Sequence, residues 1–520
     1  MALRVPNRAG FRKPVMIAVC LLLLLFSITA VTHLKLRPKL IETPAPARSA
    51  TTALSISTAQ QPTTQTPNWS YSNANPVQGK TGGNPIRHII VIFQENRAFD
   101  NYFGTYPGAY GIQSGACVPI YPNEKNGTCV KPFRLAPNQA STPDLPHLYK
   151  PSLQAMDNGK MDGFIAAAHG CNLTMGYYDS ATIPYYWDYA RHFVLADHTF
   201  QSMVGYSPAN HWAMIAALAP LIGFKDWINS STSYATRYNY TVEADSIPTL
   251  TSLMSNSKVS WKYYDQVIPA GKFQQAFGNG TTIDYWNPFL SRHSSYNASM
   301  SSHFVVRGQL FTDINSGTLP NVSWVIPSAP ISEHAPAKVQ YGMWWSARIL
   351  NYLGTSRYWN NTVVIIVWDD YGGWYDGIAP PSINSSTSIG GTYAQGAGMR
   401  VPMLIISPYS KAGYVDHTTY TFSSIMRFVE YTFNLHPLNV RDRTANNILN
   451  ALNFTQRPLS PVFEPMNLTQ TNIVDYWAYN QSRTLPQPPP VTGACVILEA
   501  NNIKSNQNQA ETGFIGGNPD

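Results

Sequence analysis

Acidic side chains are scarce in this chain: Asp and Glu number 28 in 520 residues, against 35 Lys and Arg. Seven of those bases (Arg4, Arg8, Arg12, Lys13, Lys35, Arg37 and Lys39) lie at the start of the chain, so the remainder is near neutral. No basic stripe and no nucleic-acid motif is present, which argues against a nucleic-acid partner. Cysteine occurs five times and never as Cys-x-x-Cys, which argues against a thiolate zinc site. No internal repeat is evident. Few carboxylates also means little stability to lose when acid protonates them. The expectation is a domain that works outside the cell in an acidic medium.

What is present divides the chain. A cationic start precedes Val15 to Val31, seventeen residues without a charge. Residues 1–39 therefore read as a secretory signal or an uncleaved signal-anchor, with export and attachment to a membrane at the cell surface expected. Residues 40–83, rich in Thr, Ser, Ala, Pro and Gln, read as a flexible tether. Residues 84–455 carry the motifs, and 456–520 form a Pro/Asn/Gln-rich tail. Apart from Cys20, the even set Cys117, Cys129, Cys171 and Cys495 allows three connectivities. Proximity favours Cys117 with Cys129, leaving Cys171 for Cys495. Thirteen Asn-x-Ser/Thr sequons are usable if the host glycosylates exported proteins.

Several short, continuous apolar runs end abruptly in polar residues. Ile89 to Phe93 leads into Gln94, Glu95 and Asn96, and Thr362 to Trp368 into Asp369 and Asp370. Val322 to Pro327 is followed by Ser332-Glu333-His334, Phe193 to Ala196 by Asp197-His198, and Val401 to Ser407 by Pro408-Tyr409. Continuous Val/Ile runs are strands buried on both faces, as in parallel sheets covered by helices. Helical candidates such as Trp212 to Ala219 and Met343 to Leu353 lie between them. The expected fold is α/β, a doubly wound, mostly parallel sheet sandwiched by helices in a single large domain. Ligands in such sheets gather at the carboxyl ends of strands. Glu95 and Asn96 would there offer the oxygen donors that suit a divalent cation.

The blocks Glu95 to Gly104 (ENRAFDNYFG), Met161 to Phe164 (MDGF), Met175 to Tyr178 (MGYY), Ile183 to Trp187 (IPYYW), Gly205 to Asn210 (GYSPAN), Ser332 to His334 (SEH) and Gly398 to Val415 resemble, in order and spacing, the phosphoesterase family of bacterial phospholipases C and acid phosphatases. That family has the alkaline-phosphatase-like fold. The resemblance covers roughly residues 86–445 and the catalytic core alone. Ala98 stands where the family usually has serine, and Asp370 where glutamate is usual. Tyr371 and Gly377 stand where it usually has histidines, so any role of those imidazoles falls to other residues or is absent.

The resemblance implies Glu95, Asn96, Asp369 and Asp370 as ligands of a divalent metal ion. It implies Ser207 as nucleophile, forming a phosphoserine intermediate. From the residues alone Ser207 reads first as a helix N-cap, and only second as a nucleophile near the positive end of the helix dipole where phosphate also binds; the resemblance reverses that order. His334 and His147 match histidines near the phosphate and are candidates to assist the leaving oxygen. Asn210 and His211 are candidates for the substrate side, although Asn210 could simply cap a turn. The expected substrate is a phosphate ester, either a phospholipid-type diester or a monoester. The competing reading is a catalytically silent envelope protein that uses the same fold for binding.

Overall fold

The computed structural model describes residues 83–122, 127–205, 207–219, 247–265, 286–291, 302–381 and 396–479. The expected anchor, the tether up to residue 82, Cys495 and the tail beyond 479 lie outside these. Among the described residues no helix is long and apolar enough to cross a membrane. Cys117 and Cys129 form the disulfide that their proximity suggested. Cys171 is also disulfide-bonded.

Two seven-residue runs make the middle of the sheet. His88–Gln94 (β1) and Thr362–Trp368 (β6) pair in parallel along their whole length, from His88 opposite Thr362 to Gln94 opposite Trp368. Between them in sequence come Val194–Ala196 (β2), Trp261–Asp265 (β3), Phe304–Val306 (β4) and Val322–Val325 (β5). Met403–Ile406 (β7) and Tyr414–Asp416 (β8) follow. The eight strands lie in the order β8-β2-β7-β6-β1-β5-β3-β4. Only β7 runs antiparallel to its neighbours, so the other seven end on the same rim.

Successive residues of β1 point to opposite faces, as the two-residue period of a strand requires, and both faces are covered. Phe93 meets the rings of His211 and Phe422, on the helices Ser207–Ala216 (α3) and Phe422–Phe433 (α7). Gln94, its neighbour, turns the other way and donates to Gly342 O and Ser346 Oγ, both at 3.1 Å, on Val339–Gly354 (α6). Along α6 the buried Val339, Gly342, Met343, Ser346, Ile349, Leu350 and Leu353 recur at three- and four-residue spacing, which makes one continuous face. On the same side lie Pro184–His192 (α2), Gln309–Ser316 (α5) and Leu468–Tyr479 (α8). Leu250–Asn256 (α4) packs on α3. The short helix Phe99–Phe103 (α1) follows β1 directly. The molecule is thus an α/β/α sandwich with a mostly parallel sheet. The helix α8 falls inside the stretch that composition alone assigns to the tail.

Candidate active site

The register of β1 and β6 creates the site. Because Gln94 lies opposite Trp368, the next residues, Glu95 and Asp369, leave the sheet side by side, and Asp369 N donates to Gln94 O at 2.9 Å. Asn96 then turns into the left-handed region (φ 57°), which asparagine tolerates better than most residues. This aims its backbone N–H at Asp369 Oδ1, 2.9 Å away. After β6 the chain reverses through Gly372 and Gly373, at φ 60° and 78°. Gly372 N donates to Asp370 Oδ1 at 2.8 Å and holds that carboxylate at the rim. A Cβ at Gly372 would stand 2.4 Å from Asn96 O, so this turn admits only glycine.

Across the rim, Ser207 opens α3. Its Oγ donates to Glu95 Oε2 at 3.0 Å and lies 3.3 Å from Asp370 Oδ2 and 3.4 Å from the Asn96 amide. One turn along the helix, His211 Nε2 is 2.8 Å from the other Glu95 oxygen, Oε1, and 4.0 Å from Asp369 Oδ2. Glu95, Asn96, Asp369, Asp370 and His211 are all buried. Burial, reinforced by the Asp369 and Asp370 charges, pushes the Glu95 carboxyl well above the ordinary carboxylate range. Asp370 is displaced the same way, by burial and by Asp369.

His147 and His334 close the other side. The Asn96 amide satisfies its neighbours when Nδ2 faces Glu95 Oε2 and Asp369 Oδ1, each at 3.2 Å, and Oδ1 faces His147 Nε2 at 3.1 Å and His334 Nε2 at 3.2 Å. His147 Nδ1 is fixed by Leu145 O at 2.6 Å, and His334 Nδ1 by Ala335 O at 2.6 Å. Burial lowers the His147 pKa, but the carboxylates of Asp370 and Asp144 outweigh it and bring the ring to about 9.

The donor set fits a hard divalent cation. Three buried carboxylates converge here, and Asp369 Oδ2 has no hydrogen-bond donor. Like charges this close persist in a buried site only when neutralised by protons or a cation. With a cation among them, the opposite orientation of Asn96, Oδ1 toward the carboxylates, becomes the favoured one. Glu95, His211 and Asp369 also bring ligand atoms within 4.8 Å of one another, as do Asp144, His147 and His334.

All the residues named from sequence therefore meet at one rim, except Asn210. Its amide is spent on a loop, with Oδ1 accepting from Met203 N at 3.0 Å and Nδ2 donating to Met203 O at 3.3 Å. This is the turn-capping arrangement that its sequence also allowed. His211 sits on the carboxylate side, not in an open pocket. At the two positions where histidine was expected, the hydroxyl of buried Tyr371 pairs with Ser152 Oγ at 3.2 Å and Gly377 N donates to Asp100 Oδ2 at 2.9 Å. Neither reaches the cluster.

Two supporting networks escaped the sequence reading. Glu333, next to His334, accepts from Tyr102 OH and Tyr186 OH at 2.5 Å and from Trp368 Nε1 at 2.9 Å. It ties β6 to α1 and α2, at a left-handed φ of 73°. Arg400 bridges Asp376 and Asp100 at 3.0 Å each, fully buried. The only sequence signal for either was the motif residues themselves, whose partners lie in other motifs.

A buried oxygen-donor cluster with a hydroxyl at a helix N-terminus is chemically suited to a hard cation and an anionic ester. Residues 86–436 match the phosphoesterase family. The chain belongs to that family, whose enzymes act on phosphoric ester bonds. It is similar to the non-hemolytic phospholipase C of Burkholderia pseudomallei, at 27% identity over 420 residues, covering 69% of this chain and 57% of that protein. It is also similar to phospholipase C B of Mycobacterium tuberculosis, at 26% identity over 78% of this chain and 83% of that one. The chain thus spans little more than half the length of the first of these. A solved structure in the alkaline phosphatase superfamily, from Vibrio parahaemolyticus, aligns at 9% identity and a TM-score of 0.33, covering 81% of this chain and 88% of that one.

Proposed function

We propose that this chain is an exported phosphoric ester hydrolase in which Ser207 is the nucleophile. The observation that carries the reading is the Ser207 hydroxyl held between Glu95 Oε2 and Asp370 Oδ2 at the start of α3. The free backbone N–H groups at that helix start, to which Pro208 contributes none, would cradle the phosphoryl oxygens. Ser207 Oγ passes its proton to a neighbouring carboxylate oxygen and attacks phosphorus, and the bond to the leaving oxygen breaks in line. His147 in its cationic form gives its proton to that oxygen, with His334 beside it to orient the ester. Neutral His147 then takes a proton from water, the hydroxide opens the phosphoserine, and the carboxylate returns its proton to the departing Ser207 Oγ. A divalent cation held by Glu95, Asn96, Asp369 and Asp370 would neutralise charge on the phosphoryl group and favour the ionised serine.

The substrate class is a phosphate ester, and the phospholipase C names of the relatives favour a phospholipid head-group diester over a monoester. The cationic, apolar first 39 residues support export and retention at a membrane. The test is Ser207→Ala, assayed on p-nitrophenyl phosphate and on p-nitrophenylphosphorylcholine with the metal-loaded protein. Turnover should vanish on whichever ester the parent cleaves. Near-full turnover would remove Ser207 from the mechanism. An inactive parent on both esters, and on phosphatidylcholine, would favour a silent binding protein.

A further inference from the structure

A second cluster of ligand-type side chains lies at the far edge of the sheet. In the parallel pair β8–β2, Asp416 stands opposite Ala196, so the next residues, His417 and Asp197, leave the sheet together. Asp197 Oδ1 is 2.7 Å from His198 Nδ1, and Oδ2 is 2.8 Å from His417 Nδ1. Oδ2 also accepts from Tyr110 N at 2.8 Å, and Arg400 Nη1 donates to the Asp197 carbonyl at 2.9 Å. The Tyr110 ring stands edge-on to both imidazoles, at 5.2 and 4.7 Å. Asp197 and His198 are buried, whereas the His417 side chain is 46% exposed. The cluster therefore reaches solvent through one member.

We infer that Asp197, His198 and His417 form a second metal site, for a late first-row divalent ion such as Zn²⁺. The three residues bring ligand atoms within 4.8 Å of one another. A zinc ion at about 2.1 Å from each donor holds them roughly 3–4 Å apart. Reaching that spacing requires both Nδ1 atoms to draw back from Asp197, His198 from 2.7 Å and the more exposed His417 from 2.8 Å. Two imidazoles and one carboxylate favour zinc, iron, nickel or copper, whereas the all-oxygen set at Glu95 and Asp369 favours a harder ion, so the two sites differ in what they retain. An ionised carboxylate only accepts, so each Nδ1 facing Asp197 carries the proton when no metal is bound. On binding, each ring presents its Nδ1 lone pair and keeps one proton on Nε2, any second proton going to solvent. The Tyr110 N–H already orients the carboxylate as outer partners of metal ligands do.

The inference does not depend on the activity proposed above, and its test reads metal content alone. The full chain is stripped with a chelator, incubated with excess Zn²⁺, desalted and analysed for zinc per chain, with folding checked by circular dichroism. His417→Ala should carry one zinc fewer than the parent. His417→Gln, which keeps a donor toward Asp197 but lacks the imidazole, should lose the same one. Asp370→Asn, altered only in the oxygen cluster, should keep that zinc. Equal zinc in the parent and both His417 variants would overturn the site, as would an Asp370→Asn protein that retains none.

Discussion

His211 Nε2 stands 2.8 Å from Glu95 Oε1, on the side of that carboxylate opposite Ser207. The imidazole does not face the Ser207 hydroxyl; it fixes the carboxylate that does. Outer partners of metal ligands typically change metal affinity by about 10- to 100-fold. His211→Ala should therefore raise the metal concentration for half-maximal activity by that factor, while activity at saturating metal recovers most of its value. A loss that excess metal does not relieve would mean that His211 acts on the substrate itself.

His147 is held cationic at neutral pH by Asp370 and Asp144 against the effect of burial. A proton donor matters most when the leaving oxygen is basic. His147→Ala should thus slow hydrolysis of an alkyl phosphate ester by about 100- to 10,000-fold and that of a p-nitrophenyl ester much less. Equal losses on both esters would assign His147 to binding rather than proton transfer.

Gly372 carries no chemistry, yet it borders the site. A Cβ there meets Asn96 O at 2.4 Å, at a φ of 60°. Gly372→Ala should displace Asn96 and abolish tight metal binding, with a stability cost of about 1–3 kcal/mol from backbone strain. Calorimetric titration of metal into the variant measures this. Unchanged affinity would show that Asn96 is not a ligand.

Much of this rim was legible because the strands are continuous apolar runs. Thr362–Trp368 is a strand over the same residues that its composition marks, and the acids after it fall where parallel strands end. The direction of β7 was not legible, since Val401 to Ser407 is apolar in the same way as its parallel neighbours. Trp261–Asp265 (WKYYD) mixes aromatic with charged residues, and Phe304–Val306 (FVV) is only three residues long, so neither gave a continuous apolar run of strand length. The roles of Glu333 and Arg400 were hidden for another reason. Their partners come from motifs up to 300 positions away, as from Asp100 to Arg400, and pairing across such distances is set by the fold rather than by neighbours.

Glu430 sets the pH response of stability. It is buried, and burial together with Asp442 outweighs the Arg427 charge 3.9 Å away and raises its pKa to about 10 from an ordinary value near 4.5. A raised folded-state value favours the folded chain fully below about 4.5, and that advantage is lost as pH rises toward 10. Glu464, raised to about 8 by burial and Asp188, and Glu333, raised to about 7 by burial, act in the same direction. Asp197 and Asp313 act oppositely. Burial raises both, but hydrogen bonds from His198 and Lys262 outweigh it and hold them low, so their contribution fades only as pH falls below about 4. The melting temperature of metal-free protein should therefore climb from pH 8.5 to 5 and drop below about 4. Glu430→Gln keeps a donor toward Asp442 at every pH. It should raise the midpoint at pH 8.5, by roughly 2–4 °C per kcal/mol recovered, and leave it unchanged at pH 5. An equal shift at both values would disconnect Glu430 from the trend.

The helix α8 bears on where this domain can be cut. Arg348 grips Asp475 with two hydrogen bonds of 3.0 Å, and Ser328 Oγ and Gly308 N bond to the helix backbone at Trp477 and Ala478. Val474 and Ala478 are sealed against the body. The α6 helix beneath them receives Gln94 on its inner side, one residue before Glu95. A fragment stopped at residue 455 would hold every reacting group and still strip the outer support from the helix on which β1 rests. For expression or domain grafting, the α8 contacts argue for keeping the chain at least through Tyr479, well past the residues of the oxygen cluster.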